Sequence, residues 1–133
     1  MGRYQRYQKQ GFWRSLDQAW RGLIYTWKTQ GHFQFHVVAG ICVLCCAWWS
    51  KVSRFEWLIL IFAIGSVLGA EAMNSALEVV VDMVQPNFHP LAGMAKDVAA
   101  GAVLVAAIQA VVIGVIVFFP RLFHFASGFL AHL

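Results

Sequence analysis

Five side chains that can bind cations or accept protons recur along residues 71–82. They are Glu71, Asn74, Ser75, Glu78 and Asp82. On a helix, Glu78 and Asp82 lie about 20° to either side of Glu71, and the two neutral residues flank this row. Carboxylates within an apolar segment are costly unless they meet a cation, a donor or a substrate hydroxyl. The spacing therefore predicts a polar helix face suited to metal binding or proton abstraction.

A second polar group follows a short loop. The loop Gln-Pro-Asn-Phe-His-Pro occupies 85–90, and Lys96 and Asp97 lie about two turns into the next predicted helix. Phosphoryl transfer needs a cation that bridges phosphate oxygens, a lysine on the same oxygens and a carboxylate near the attacking hydroxyl. The two groups supply these parts, and the acids of 71–82 outnumber the single lysine, which leaves charge that a cation would relieve.

Three other interpretations of these residues remain open. The carboxylates and Lys96 could pair only to hold helices together. The acidic face could relay protons in a small carrier or serve a non-catalytic membrane subunit, although carriers usually show internal repeats and broken helices, and this sequence shows neither. The chain could also be a membrane anchor.

The composition is that of a membrane protein. The chain has 133 residues, of which 60% are hydrophobic and 12% charged, and its mean hydropathy is +0.65. These values predict one all-α membrane unit without a second domain. The formal charge of +4 favours anionic headgroups or a phosphorylated ligand as partners, because no basic run long enough to bind nucleic acid is present.

All three cysteines lie within one predicted membrane helix, at Cys42, Cys45 and Cys46. No cysteine elsewhere can pair with them, so the sequence predicts neither a zinc site nor a disulfide framework. We expect them to be small apolar packing residues.

The first predicted helix is amphipathic. Apolar residues recur at helical spacing from Phe12 to Trp27, whereas Arg14, Arg21 and Lys28 recur every seven residues along another face. This pattern predicts a helix on the membrane surface, whose basic face attracts lipid headgroups alone or also the phosphates of a nucleotide. The charges argue against a secretory signal.

Three apolar runs predict three membrane-spanning helices. Ser53 and Glu56 are expected to form a capping box at the start of the second, and the third is expected to stop at Pro120. His32 and His36, near the start of the first, are expected to be interfacial hydrogen-bonding residues. The predicted segments are a mobile tail at 1–11, the surface helix at 12–30, spans at 33–50, 55–84 and 90–119, and an interfacial tail at 121–133.

The distribution of Lys and Arg predicts an orientation. Most of them fall on the side of the N-terminus and of Lys96, and only Lys51, Arg54 and Arg121 fall on the other side. The N-terminus and the loop at 85–90 are therefore expected to face the cytoplasm. Three spans hardly enclose a polar site alone, which favours an oligomer.

Two motifs carry a resemblance to a known family. They are E-x-x-N-x-x-x-E-x-x-x-D over 71–82 and A-K-D at 95–97. Over roughly residues 12–119, the chain resembles the prokaryotic diacylglycerol kinase and undecaprenol kinase family. Two segments resemble the undecaprenol kinase branch more than the diacylglycerol branch. They are His-Pro-Leu-Ala, which begins at His89, and Asp-Val-Ala-Ala-Gly-Ala-Val-Leu, which begins at Asp97.

The resemblance implies a homotrimer in the bacterial inner membrane, with three membrane helices and a surface helix per protomer. It implies active sites shared between protomers on the cytoplasmic side. The implied reaction is phosphoryl transfer from ATP, with Mg²⁺, to a lipid alcohol, which is undecaprenol or, alternatively, diacylglycerol.

The resemblance also implies roles for individual residues. Glu71 matches the family's general base with Asn74 beside it, and Glu78 matches a carboxylate that holds the metal next to ATP. Asp82 matches a further acidic member of the site. The positions that match nucleotide-contacting residues are Arg14, Asn87, Phe88, His89, Lys96 and Asp97.

Two positions depart from the family pattern. Gln30 stands where the family commonly has a second metal-holding glutamate, and Gln34 stands where it has an arginine. A glutamine oxygen can bind Mg²⁺ without adding charge, so Gln30 stays a candidate ligand of the metal and ATP. The missing arginine leaves few donors near Glu71 for the ester carbonyls of diacylglycerol, which favours undecaprenol as the substrate.

Overall fold

The computed structural model describes the backbone of residues 11–130 and the side chains up to residue 123. This part of the chain forms four helices and no strand: α1 (Phe12–Thr29), α2 (Gly31–Trp49), α3 (Arg54–Val84) and α4 (Pro90–Leu130). The tail predicted to be mobile at 1–11 lies outside the described residues except for Gly11.

A single residue separates α1 from α2. Gln30 has an extended backbone (φ −116°, ψ 105°), and its N–H donates to the carbonyl of Thr26. The next helix then begins at Gly31, two residues before the predicted start of the first span. Boundary differences of this size are within the usual fraying of helix ends. The junction places the Gln30 side chain at the meeting point of two helices.

The predicted capping box at the start of α3 is confirmed. The Ser53 hydroxyl accepts from the Glu56 N–H, and the Glu56 carboxylate accepts from the Ser53 N–H at 2.7 Å. Arg121 of α4 donates to both oxygens of Glu56, each at 2.8 Å. Glu56 therefore has a structural role, because it caps one helix and binds another.

The prediction that the third membrane helix stops at Pro120 is wrong. α4 continues through this proline to Leu130, so the segment predicted as an interfacial tail at 121–133 is helical as far as residue 130. A proline removes one backbone hydrogen bond, but membrane helices tolerate it where neighbouring groups hold the turn. Next to Pro120, the Arg121 guanidinium donates to the Val117 carbonyl and to Glu56, which ties this turn of α4 to the start of α3.

Three of the helices are long and apolar enough to cross a membrane. They are Gly31–Trp49, Arg54–Val84 and Pro90–Phe123, with mean hydropathies of 1.4, 1.7 and 2.9. The all-helical membrane class with three candidate spans is therefore confirmed. The last turns of α3 extend beyond the roughly 20 residues that a bilayer core requires, which leaves room for a polar site near its end.

Helices α2 and α3 pack closely against each other at Gly40. A Cβ added at Gly40 of α2 would lie 3.0 Å from Cγ2 of Ile64 in α3, so these two backbones approach closely. Towards the far end of these helices, Ala47 of α2, Leu60 of α3 and Val117 of α4 are buried together. Gly40 and Ala47 are one heptad apart, so they mark the side of α2 that faces α3.

The three cysteines do not pack within the chain as expected. Cys42, Cys45 and Cys46 are free and exposed on α2. They lie on the sides of the helix away from Gly40 and Ala47, which are buried against the rest of the chain.

Candidate active site

The acidic residues of α3 contact three different partners rather than one another. Glu71 meets α2, Glu78 meets the junction between α1 and α2, and Asp82 meets α4. The polar face predicted from the sequence thus spreads over three neighbouring contacts along about three turns of helix.

Glu71 is buried between α2 and α3. The residue is only 5% exposed, and its Oε1 lies 3.3 Å from Nε2 of His36. The hydroxyl of Ser75, also buried, donates to the backbone carbonyl of Glu71 at 2.9 Å. A carboxylate at this depth, with one titratable partner, is a candidate proton acceptor.

Glu78 is held by two amides. Asn74 Nδ2 donates to its Oε1 at 2.9 Å, and Gln30 Nε2 donates to its Oε2 at 3.1 Å. Gln30 and Glu78 are therefore brought together, as the family resemblance implies for these positions. Two neutral donors satisfy the carboxylate without neutralising its charge.

One buried atom beside Glu78 lacks a partner. In the described part of the chain, Asn74 Oδ1 is the buried side-chain oxygen or nitrogen that makes no hydrogen bond. An unpaired buried oxygen is costly, and it accepts a cation readily. Together with Glu78 it forms a pair of oxygen donors suited to a hard divalent cation.

A metal at this place would be held by few protein groups. Within residues 11–123, no cluster of three His, Cys, Asp or Glu side chains is found. The donors present are one carboxylate and the amide oxygens of Asn74 and Gln30. Mg²⁺ is commonly bound by one or two carboxylates while water and substrate phosphates complete its shell, so this donor set fits that ion beside a nucleotide.

Asp82 and Lys96 form the third contact. Lys96 Nζ donates to Asp82 Oδ1 across the loop that joins α3 and α4. Both residues line a shallow cavity of about 200 Å³ with Asn87, Phe88 and His89 of the loop. Four predicted nucleotide-binding residues therefore gather around Asp82 at this end of the helices.

Two predicted nucleotide-binding residues do not join this group. Arg14 is exposed on the first turns of α1, and Asp97 is exposed beside Lys96; neither makes a hydrogen bond or ion pair with the site residues described above. Phe88, although it lines the loop cavity, is 93% exposed. These residues remain predictions for a nucleotide-bound or assembled state.

An apolar cavity of about 410 Å³ lies between α1 and α3. Small residues form much of its wall, including Gly22, Ala72 and Ala76, and Ser75 lies at its edge. Ala72 and Ser75 belong to the same turn as Glu71, so the cavity borders the turn that carries the buried carboxylate. Its size and lining suit an apolar chain.

His36 is the site residue that the sequence did not identify. The prediction for it was a hydrogen bond at the membrane interface, whereas it contacts Glu71 and is 21% exposed. A signal was present: Phe33, His36 and Gly40 recur at spacings of three and four, which places His36 on the side of α2 that faces α3. The polarity of neighbouring residues concealed this spacing.

The acids of 71–82 are not left without partners, although they outnumber the lysine. Each acid of 71–82 has its own partner in the structure: an imidazole, two amides or an ammonium group. Excess negative charge alone therefore does not establish a cation site. The unpaired Asn74 oxygen beside Glu78 is the feature that favours a cation there.

Taken together, these features define a helical membrane protein with a buried carboxylate, an adjacent oxygen-donor pair and a lysine at one end of its helices. Residues 17–118 match the family described as prokaryotic diacylglycerol kinase. The chain belongs to this family, and it is an ATP-dependent lipid kinase.

Several relatives resemble the chain along most of its length. It is 41% identical over 111 residues to the undecaprenol kinase of Bacillus subtilis (strain 168), which covers 84% of this chain and 90% of that protein. It is 39% identical over 109 residues to the diacylglycerol kinase of Synechocystis sp., and this match covers 81% of this chain and 62% of that protein. It is 36% identical over 105 residues to the diacylglycerol kinase of Escherichia coli (strain K12), and this match covers 77% of this chain and 86% of that protein. Bacterial relatives and three apolar helices make it a bacterial membrane protein.

Proposed function

We propose that this chain transfers the γ-phosphoryl group of ATP to undecaprenol, with Glu71 as the general base. The observation that carries the proposal is the buried Glu71 carboxylate in the turn that borders an apolar cavity. The B. subtilis relative, which is called an undecaprenol kinase, supports the choice of lipid.

The reaction requires one proton transfer and one displacement. Glu71 accepts the proton of the lipid hydroxyl, and the alcohol oxygen forms a bond to the γ-phosphorus. The bond between that phosphorus and the bridging oxygen of the β-phosphate breaks, and its electrons leave with ADP. Such a transfer depends mainly on positioning and charge stabilisation, which buried and hydrogen-bonded groups provide.

Glu78, Asn74 and Gln30 would hold the metal. By holding it at this place, they would supply the phosphates with a positive charge, which would offset the negative charge that develops during transfer. For Asn74, this role would give the buried Oδ1 the partner that it lacks. For Gln30, a turn of the amide would present its oxygen in place of the nitrogen that now donates to Glu78.

Lys96 would bind the nucleotide phosphates. Its ammonium group is paired with Asp82 in the structure, so Asp82 would either orient this group towards the phosphates or release it to them. Asn87, Phe88 and His89 would contact the rest of the nucleotide from the loop cavity, with Asp97 and Arg14 as further contacts.

We also propose a homotrimer in the inner membrane, with the site on the cytoplasmic side. The apolar surface supports assembly, since Val105, Val112 and Ile116 of α4 are each more than half exposed, at 66%, 51% and 67%. Another protomer or lipid must cover such a surface. The basic first helix supports the orientation, because cytoplasmic segments are enriched in Lys and Arg. On this view α1 lies at the membrane surface.

The donors near Glu71 favour undecaprenol over diacylglycerol. Ser75 donates to a backbone carbonyl, Asn74 donates to Glu78, and Gln34 donates to the Trp27 carbonyl at 2.7 Å. The ester carbonyls of diacylglycerol would therefore lose water without gaining partners, whereas undecaprenol brings only a hydroxyl. We expect a preference in kcat/KM worth about 1–3 kcal/mol.

A comparison of both lipids tests the substrate. Purified protein in mixed micelles is supplied with ATP, Mg²⁺ and either undecaprenol or diacylglycerol, and kcat/KM is measured for each. Equal or higher kcat/KM for diacylglycerol would overturn the choice of lipid but leave the kinase assignment intact.

The Glu71→Gln variant tests the base. It keeps the shape of the side chain and removes its basicity, so kcat should fall by about 100-fold or more. The matched control is Ser66→Ala on the same helix, where the Ser66 hydroxyl donates only to the Phe62 carbonyl. Near-normal turnover of Glu71→Gln would refute the assignment.

A further inference from the structure

The contact between His36 and Glu71 has no part in the reaction as proposed so far. His36 Nε2 lies 3.3 Å from Glu71 Oε1, and the two side chains are 21% and 6% exposed. In the described part of the chain, His36 is the side chain that contacts this carboxylate. A carboxylate with so little access to water depends on its protein partner for its orientation.

We infer that His36 is a positioning residue, which holds Oε1 of Glu71 so that Oε2 points to the hydroxyl of the lipid alcohol. The inference rests on the proposed function, because it concerns the base of that reaction. Oε1 is the oxygen that lies 3.3 Å from His36 Nε2, which leaves Oε2 as the oxygen to accept the proton.

Helix packing brings the two residues together. His36 lies one turn from Gly40, and Glu71 lies two turns from Ile64 on the same side of its helix. Because Gly40 has no side chain, α2 can approach Ile64 to the point where an added Cβ would lie 3.0 Å from it. The imidazole can then reach across the narrow gap to the carboxylate.

Two further contacts limit the motion of this pair. The Phe35 ring meets the His36 ring edge-on, with centroids 5.4 Å apart. On the other side, Ser75 donates to the Glu71 carbonyl and ties that turn of α3. Fixed partners of this kind keep a reacting group close to its productive geometry.

The arrangement makes the two oxygens of Glu71 unequal. With His36 in place, one oxygen is engaged and the other faces substrate, so no rotation of the carboxylate is needed before proton transfer. Without His36, the carboxylate must find the productive orientation in each cycle. The loss should appear in kcat rather than in the KM for ATP, because the nucleotide groups at Lys96 are not involved.

Substitutions of His36 test this role in full-length protein in mixed micelles. His36→Leu should lower kcat by about tenfold or more, with the KM for ATP changed by less than about twofold. His36→Gln places an amide N–H near the position of Nε2 and should restore most of the activity. His36→Asn is too short to do so and should resemble His36→Leu.

His32→Leu is the matched control. His32 lies one turn earlier on the same helix and is exposed, so its kcat should remain at the level of the unaltered protein. Thermal unfolding in detergent shows whether each variant folds. If His36→Leu does not fold, the comparison of His36→Gln with His36→Asn still decides the question, because the two differ in reach and not in polarity.

A double substitution separates this inference from the proposed function. In the Glu71→Gln background, His36→Leu should lower the residual kcat by less than about twofold, because residues that act as a unit are not additive. An equal loss in both backgrounds, or full activity of His36→Leu, would overturn the role of His36. Full activity of Glu71→Gln would instead overturn the proposed base.

Discussion

The replacement of Gln30 by glutamate probes the proposed metal site directly. In the structure, the Gln30 amide donates to Glu78 Oε2 at 3.1 Å. Gln30→Glu would exchange this donor for a second carboxylate at nearly the same place. Without a cation, the hydrogen bond would become a repulsion between like charges.

The size of this repulsion follows from the distance. Two unit charges 3.1 Å apart interact by about 5 kcal/mol at an effective dielectric constant of about 20, and by about 1 kcal/mol in water. Gln30 and Glu78 are both partly exposed, so a value of about 1–2 kcal/mol is appropriate. A divalent cation between the carboxylates would reverse the sign of this contribution.

Two measurements follow. The Mg²⁺ concentration for half-maximal activity should fall by roughly 5- to 30-fold, which is the factor that corresponds to about 1–2 kcal/mol. In the absence of Mg²⁺ the melting temperature in detergent should decrease, and added Mg²⁺ should restore it.

Gln34→Glu serves as the control for Gln30→Glu. Gln34 lies one turn further along the chain and donates to a backbone carbonyl instead of Glu78. An unchanged Mg²⁺ requirement in Gln30→Glu, or an equal change in both variants, would refute a metal at Glu78 and Gln30.

Three further substitutions test other contacts. Lys96→Met should raise the KM for ATP and lower kcat, so that kcat/KM falls by about 100-fold. The reason is that Asp82 would lose its partner and the phosphates would lose a cation. An unchanged KM for ATP would contradict this role. Ser53→Ala should lower the free energy of unfolding by about 1 kcal/mol without changing kcat, as measured by unfolding in detergent and by turnover. Gly40→Ala should push α2 away from Ile64 and lower kcat several-fold, and Ile64→Ala in the same chain should restore part of it; additive losses would contradict the close approach.

Local rules predicted much of the fold. The capping box at Ser53 depends on residues three apart, and the start of α4 at Pro90 depends on a residue that needs no N–H partner, so both could be predicted from the sequence. The end of α4 could not. A proline often ends a helix, and the contact of Arg121 with Glu56 that accompanies the continuation past Pro120 joins residues 65 apart in sequence.

The candidate site shows the same division. The acidic residues were found because their spacing alone puts them on one side of α3. Among their partners, Gln30 and Lys96 were candidate site residues by the family resemblance, whereas His36 was not, because its contact with Glu71 joins residues 35 apart in sequence. The absence of a side chain at Gly40 is visible in the sequence, but the approach of Ile64 that it permits is a property of the packed helices.

The short connection between α1 and α2 has a mechanical consequence. Gln30 is the only residue between the two helices, and its side chain is bound to Glu78. The Gln34 amide also donates a hydrogen bond to the Trp27 carbonyl in the last turns of α1. A change in the tilt of α1 relative to α2 would therefore move the side chain that contacts Glu78, the carboxylate proposed to hold the metal.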